Sequence, residues 1–189
     1  MGQYKLIFTG PVGAGKTTAI TTLSDEPPVK TDEVARDMTR QRKPDTTVAL
    51  DYGVMRLDKG EKLHLYGTPG QERFDFMWDI LSSGGIGLIL LINNNRPDPF
   101  QDLRFFLQRF RSLVDSTAVA VGVTQMDRKP EPLLETYHQA LGKQGLEGIP
   151  LFEVDARSRT DMSLLVQSLL FTLDPGLKMD KDDGEISTA

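Results

Sequence analysis

Apolar positions along the chain fall into short runs separated by stretches of helical spacing. Residues 5–8, 48–57, 61–66, 86–92, 118–123 and 151–154 read as β-strands, and helical patterns lie between most of them. Phe100, Leu103, Leu107, Phe110 and Val114 repeat at helical intervals, as do Met162, Leu165, Val166, Leu169, Leu170 and Leu173. Ser158 and Asp161 make a capping pair for the last helix. Such alternation predicts an α/β sandwich with a mostly parallel sheet. The exception is 48–66, where Asp58-Lys59-Gly60 is a connection short enough only for an antiparallel hairpin. The reading is therefore a three-layer, six-stranded, mostly parallel sheet with one antiparallel edge strand. The run 86–92 is apolar without alternation, so it predicts a strand covered on both faces, and it is far too short to cross a bilayer.

With 189 residues the chain suits one domain, placed at 1–175. Beyond Pro175 the sequence turns polar and acidic, and 176–189 reads as a disordered tail. A net charge of −5, with Lys and Arg spread along the chain, offers no basic face for nucleic acid or an anionic membrane. The absence of cysteine excludes disulfides, thiolate metal sites, prenylation and palmitoylation. Met1-Gly2-Gln3-Tyr4-Lys5-Leu6 runs straight into the first strand without a signal peptide, and Leu6 stands where myristoylation wants Ser or Thr. A cytoplasmic protein with no membrane anchor is expected.

The chemistry begins where the first strand ends. Gly10-Pro11-Val12-Gly13-Ala14-Gly15-Lys16-Thr17 matches G-x-x-x-x-G-K-[ST] between a strand and a helix. The glycines let backbone N–H groups turn around phosphates, and Lys16 supplies a point charge for the β- and γ-phosphates. The Thr17 hydroxyl ligates Mg²⁺, and the following helix N-terminus, with Thr18, adds partial positive charge. A long polar connection, 25–46, leads to Thr46-Thr47, whose hydroxyl can complete Mg²⁺ coordination when a γ-phosphate is present. After the next strand comes Gly67-Thr68-Pro69-Gly70-Gln71-Glu72. Ligands gather at the carboxyl ends of strands in such sheets, so Gly70 can bring its N–H to a γ-phosphate and Gln71 can orient an attacking water.

The order of phosphate loop, threonine switch and x-Thr-x-Gly-Gln-Glu segment resembles the Ras-like small GTPases of the P-loop NTPase class. Pro44-Asp45-Thr46-Thr47-Val48-Ala49-Leu50-Asp51-Tyr52-Gly53 and Thr68-Pro69-Gly70-Gln71 are similar to the bacterial gliding-motility (MglA-like) members, over about residues 3 to 174. The resemblance implies GTP and GDP as ligands and Mg²⁺ as cofactor. It also implies a base-reading segment at Thr124-Gln125-Met126-Asp127, and a match of Asp155-Ala156-Arg157 to the family's Ser-Ala-Lys position, where the Ala156 N–H would meet guanine O6 and Arg157 would also line the nucleotide. Asp127 can accept from guanine N1–H and the 2-amino group, a pair adenine lacks.

Two departures stand out. Gly67 occupies the place of an acid that holds Mg²⁺ through water, leaving Asp51 or another carboxylate to substitute. Thr124 and Gln125 replace an Asn-Lys pair. Arg36, Arg40 or Arg42 of the long loop, or a partner, could supply an arginine finger. In the helix after Gln71, Phe74, Met77, Trp78 and Leu81 make one apolar face while Phe76 and Ile80 point away. Phe74, Phe76, Trp78 and Ile80 are thus candidate contacts for an effector or activator, a roadblock-type regulator by the resemblance. The function expected is a slow GTPase switch with Gln71, Lys16 and Thr47 in catalysis. Two alternatives stand beside it: a nucleotide-binding adaptor with little hydrolysis, and a P-loop phosphotransferase for small molecules.

Overall fold

A computed structural model describes residues 2–31, 50–57, 60–70 and 75–173 of the chain. Seven strands form one sheet: β1 (Gln3–Thr9), β2 (Val29–Thr31), β3 (Leu50–Arg56), β4 (Lys62–Gly67), β5 (Gly87–Asn93), β6 (Ala118–Thr124) and β7 (Leu151–Glu153), in the order β2-β3-β4-β1-β5-β6-β7. Six are the strands read from the sequence. The seventh, β2, pairs antiparallel with β3, and β3 pairs antiparallel with β4. One strand therefore runs against the rest, as expected, but it lies one place in from the edge. Three residues of Val-Lys-Thr carry too little pattern to reveal a strand, and they pair only because β3 offers them an open edge.

Among the described residues six helices cover the sheet: α1 (Lys16–Leu23), α2 (Asp75–Ser82), α3 (Pro99–Arg109), α4 (Arg111–Ser116), α5 (Leu134–Gly142) and α6 (Arg159–Leu173). On one face Ala19, Ile20 and Leu23 of α1 and Met162, Leu165, Val166, Leu169 and Leu170 of α6 pack on Leu6, Phe8, Leu63 and Leu65. On the other, Trp78, Leu103, Leu107, Phe110 and Tyr137 pack on Ile7, Leu88, Leu90 and Val121. Every residue of β5 and β6 is buried, because helices cover both of their faces. The layers are those of a Ras-like P-loop fold. The stripe from Phe100 to Val114 divides into α3 and α4 at Phe110, whose backbone leaves the helical range. Ser158 and Asp161 cap α6 as expected: the Ser158 hydroxyl donates to Asp161 at 2.9 Å and accepts from the Asp161 N–H at 3.2 Å.

The sheet order reverses at β1, with β4 on one side and β5 on the other. Connections diverge there and leave a crevice at the strands' carboxyl ends. The phosphate loop departs from that point. Among the described residues no helix is long and apolar enough to cross a membrane. Arg36, Arg40, Arg42, Thr46, Thr47, Gln71, Phe74 and the tail lie outside the described residues, as does the side chain of Phe76.

Candidate functional site

Between β1 and α1 the backbone takes conformations that need glycine. Gly10 has φ 140°, and a Cβ there would stand 2.1 Å from the Leu91 carbonyl oxygen of β5. Gly15 caps α1 in the left-handed region, with the Ala156 Cβ 2.9 Å from the position its own would take. Glycine thus lets the loop press against the sheet on one side and the 155–157 turn on the other.

Side chains from the ends of β5 and β6 grip this loop by its carbonyls. Asn93 Nδ2 and Gln125 Nε2 donate to Gly13 O at 3.1 and 3.0 Å, and Thr124 Oγ1 donates to Ala14 O at 3.1 Å. Carbonyl and N–H point in opposite directions across a trans peptide. The Ala14 N–H, opposite Gly13 O, closes the turn on Pro11 O at 3.2 Å, whereas the Gly15 N–H, opposite Ala14 O, has no acceptor among the described residues. It joins the first N–H groups of α1, which have no intrahelical acceptor, to form an anion-binding pole. Lys16, only 7% exposed, donates from Nζ to Gly10 O and Pro11 O at 2.7 and 2.9 Å. Burial pulls its pKa down to about 8, against the opposing pull of the Asp51 carboxylate.

Thr17 Oγ1 donates to Asp51 Oδ2 at 2.6 Å. In the β3–β4 ladder Asp51 stands opposite Gly67, and a Cβ on Gly67 would lie 2.9 Å from the Asp51 Cβ. A hydroxyl and a carboxylate beside a phosphate site form the hard oxygen set that Mg²⁺ prefers. The residues present therefore fit that ion.

At the other end, Thr124, Gln125 and Asp127 face Asp155, Ala156 and Arg157 across the mouth of α1. The Arg157 guanidinium forks onto its neighbour Asp155, Nε to Oδ1 at 2.9 Å and a terminal nitrogen to Oδ2 at 2.7 Å. With the Arg157 backbone N–H also donating, this holds the Asp155 carboxyl down to about 2. Thr22 Oγ1 donates to Ala156 O at 2.9 Å, anchoring the turn to α1. Behind Asp127, Asn94 Nδ2 donates to Lys129 O at 2.6 Å, and the buried Tyr137 hydroxyl donates to Asn94 Oδ1 at 2.6 Å. Residues 13–18, 124–128 and 153–157 line one cleft of about 700 Å³, a volume in the range of cofactor sites.

The structure brings Gly13, Ala14, Gly15, Lys16, Thr17, Thr18, Thr124, Gln125, Asp127, Ala156 and Arg157 into that cleft. Gly10 and Val12 belong to the same loop but do not line the cleft, and Val12 is 55% exposed. Gly70 lies at the phosphate end: a Cβ on it would come 2.8 Å from Val12 N and 2.9 Å from Lys16 Nζ. Trp78 corrects the sequence reading. It is fully buried, stacked on Phe110 with centroids 5.5 Å apart, and is no part of an exposed contact surface; Ile80 of the same helix is 53% exposed. Asn93 and Asn94 were not singled out by sequence. Their signal is three asparagines directly after a wholly apolar strand, at the level where ligands collect.

Phosphate loop, carbonyl-gripping side chains and adjoining cleft define a P-loop nucleotide-binding protein. The chain belongs to the family described as "Conserved hypothetical ATP binding protein", whose profile matches residues 26–138. It is 32% identical over 82 residues to an uncharacterised protein of Methanocaldococcus jannaschii, covering 43% of this chain and 46% of that one. It is 24% identical to Ras-related protein Rab-27A of Sus scrofa, over 66% of this chain and 63% of that one. With GTP-binding protein YPT1 of Saccharomyces cerevisiae it shares 24% identity, over 84% of this chain and 73% of that one. The chain thus spans about half of the archaeal relative and under two thirds of Rab-27A.

Proposed function

We propose that the protein is a guanine-nucleotide switch of the Ras-like kind, close to the bacterial gliding-motility group, that binds GTP and GDP with Mg²⁺ and hydrolyses GTP slowly. The observation that carries this reading is that Asp127 and Ala156, whose N–H has no acceptor among the described residues, line the cleft that continues from the phosphate loop. Guanine presents donors at N1 and N2 and an acceptor at O6, complementary to both. Adenine presents an acceptor at N1 and a donor at C6, so both contacts would be mismatched. Each mismatch costs about 1 to 3 kcal/mol, or roughly tenfold or more in affinity.

In the triphosphate complex the Lys16 ammonium leaves the Gly10 and Pro11 carbonyls for the β- and γ-phosphates. Loop N–H groups and Gly70 N–H stabilise charge on the γ-phosphoryl oxygens. Gln71 orients water for in-line attack: a bond forms from water oxygen to γ-phosphorus, the bond to the β–γ bridging oxygen breaks, and the water proton passes to the released phosphate. Thr17, Asp51 and Thr47 would hold Mg²⁺, which when bound neutralises phosphate charge. Partner control falls to the α2 region around Phe74, Phe76 and Ile80, with a roadblock-type regulator as the candidate by analogy.

The family's name favours a second reading, an adenine-nucleotide protein. Displacement of fluorescent GDP by GTP, GDP, ATP and XTP decides between them, on the natural chain and Asp127→Asn. Guanine nucleotides should bind at least about tenfold tighter than ATP, and XTP should gain on the variant. Equal competition by ATP sinks the guanine reading. Phosphate release from GTP, with and without activators, separates a switch from an adaptor with little hydrolysis.

A further inference from the structure

The indole of Trp78 does more than fill the core. Its Nε1–H donates to the Pro69 carbonyl at 3.0 Å, and its ring lies fully buried, tilted against Phe106 and stacked on Phe110. Arg109 of α3 lies over the ring, 5.6 Å from its centroid, while its guanidinium pairs with Asp79 of α2 at 3.0 Å. The indole is thus clamped between α2 and α3, so its N–H direction is set by packing.

That hydrogen bond falls on a particular peptide. The Pro69 carbonyl and the Gly70 N–H belong to one rigid plane and point in opposite directions. A carbonyl tied to α2 sends the Gly70 N–H the other way, and Gly70 itself lies against the phosphate loop, where a Cβ on it would come 2.8 Å from Val12 N and 2.9 Å from Lys16 Nζ. Proline fixes its own φ but leaves free its ψ, the torsion that turns the Pro69–Gly70 peptide, so the indole hydrogen bond is what sets that plane. We infer that Trp78 is a positioning residue: its indole N–H holds the Pro69–Gly70 peptide so that Gly70 N–H faces the γ-phosphate, which makes triphosphate recognition depend on where α2 sits against α3. The inference rests on the switch reading given above.

Trp78→Phe keeps an aromatic ring in the core but removes three ring atoms, the donor among them, so a lower thermal midpoint is expected and the diagnostic is the difference between nucleotides. On the full-length chain with Mg²⁺, affinity for the slowly hydrolysed analogue GTPγS should fall about tenfold, while GDP affinity stays within about twofold. No change in GTPγS affinity, or an equal loss for both nucleotides, overturns the inference. Gly70→Ala serves as the control. If it abolishes the preference for GTPγS over GDP while Trp78→Phe does not, the inference alone fails; if neither substitution alters that preference, the γ-phosphate role of Gly70 fails with it. A measurement on the unaltered protein guards against a misfolded variant. Trp78 is the single tryptophan, so its ultraviolet resonance Raman bands report this indole alone. A hydrogen-bonded indole N–H in the GTPγS complex is expected, and a free one overturns the inference.

Discussion

Asp51 and Gly67 face each other across the β3–β4 ladder, and the Asp51 side chain occupies the room that a side chain at 67 would need. The acid missing from one strand has its counterpart on the neighbouring one, with its carboxylate on the Thr17 hydroxyl. Asp51→Asn should therefore weaken Mg²⁺-supported nucleotide binding by about 10- to 100-fold, with binding in excess EDTA much less affected. Gly67→Asp alone should crowd Asp51 and Ile20 and destabilise the fold by about 1 to 3 kcal/mol, whereas Asp51→Gly with Gly67→Asp should recover both stability and metal response. Magnesium titrations of nucleotide off-rate and urea melts of the three variants check this.

Lys16 gives binding a defined pH response. Its pKa of about 8 in the free protein rises when phosphates lie beside it, so binding above pH 8 takes up a proton. Affinity should be flat below pH 8 and fall as pH rises through it, by up to about tenfold per unit until the complex itself titrates. Stability of the nucleotide-free protein has the opposite sign. The unfolded lysine titrates near 10.5, so the unfolded chain holds more protons between 8 and 10.5 and this contribution to folding rises with pH there. Fluorescent-nucleotide titrations and thermal melts from pH 6.5 to 10 should diverge in this way.

Gly10→Ala should cost about 2 to 5 kcal/mol of folding free energy. A methyl would have to share space with the Leu91 carbonyl, and φ 140° is foreign to side-chain-bearing residues. Gly84→Ala is the comparison, since only its φ of 73° opposes it and nothing lies within 4 Å; it should lose about 1 kcal/mol.

Tyr137→Phe should leave Asn94 Oδ1 without its buried partner and cost about 1 to 3 kcal/mol in a urea melt. Asn94 holds the Lys129 carbonyl beyond Asp127, so the same change should weaken binding of GDP more than binding of inorganic pyrophosphate. Equal losses for both would mean the contact serves the core alone.

Gln71→Leu should cut activator-stimulated GTP hydrolysis by at least about a hundredfold and leave GDP affinity nearly unchanged. Equal rates in phosphate-release assays would remove Gln71 from the mechanism.

Much of this arrangement was legible in the chain because its signals are local. The phosphate loop is contiguous, β5 and β6 are uninterrupted apolar runs, and the turn 58–60 is too short for anything but a hairpin. What escaped depends on register between distant segments. Pairing of Asp51 with Gly67 follows from the β3–β4 alignment, which periodicity alone does not number. Trp78 illustrates a second limit. An aromatic on an amphipathic helix has the same pattern whether its face meets solvent or a neighbouring helix, and only the position of α3 decides. The strand β2 illustrates a third, since its pairing is imposed by an available edge rather than by its own residues.

The grip of Asn93, Thr124 and Gln125 on the phosphate loop sets the kinetic character of the site. A loop already fixed from behind loses little conformational entropy when phosphates arrive, so encounter should approach the rate of diffusion and differences in affinity should reside in dissociation. The same scaffold joins the loop to β5 through Asn93 and to β6 through Thr124. On the switch reading proposed above, a nucleotide would leave by prising two ends of one braced cradle apart, and a factor that hastens exchange would have leverage at either end.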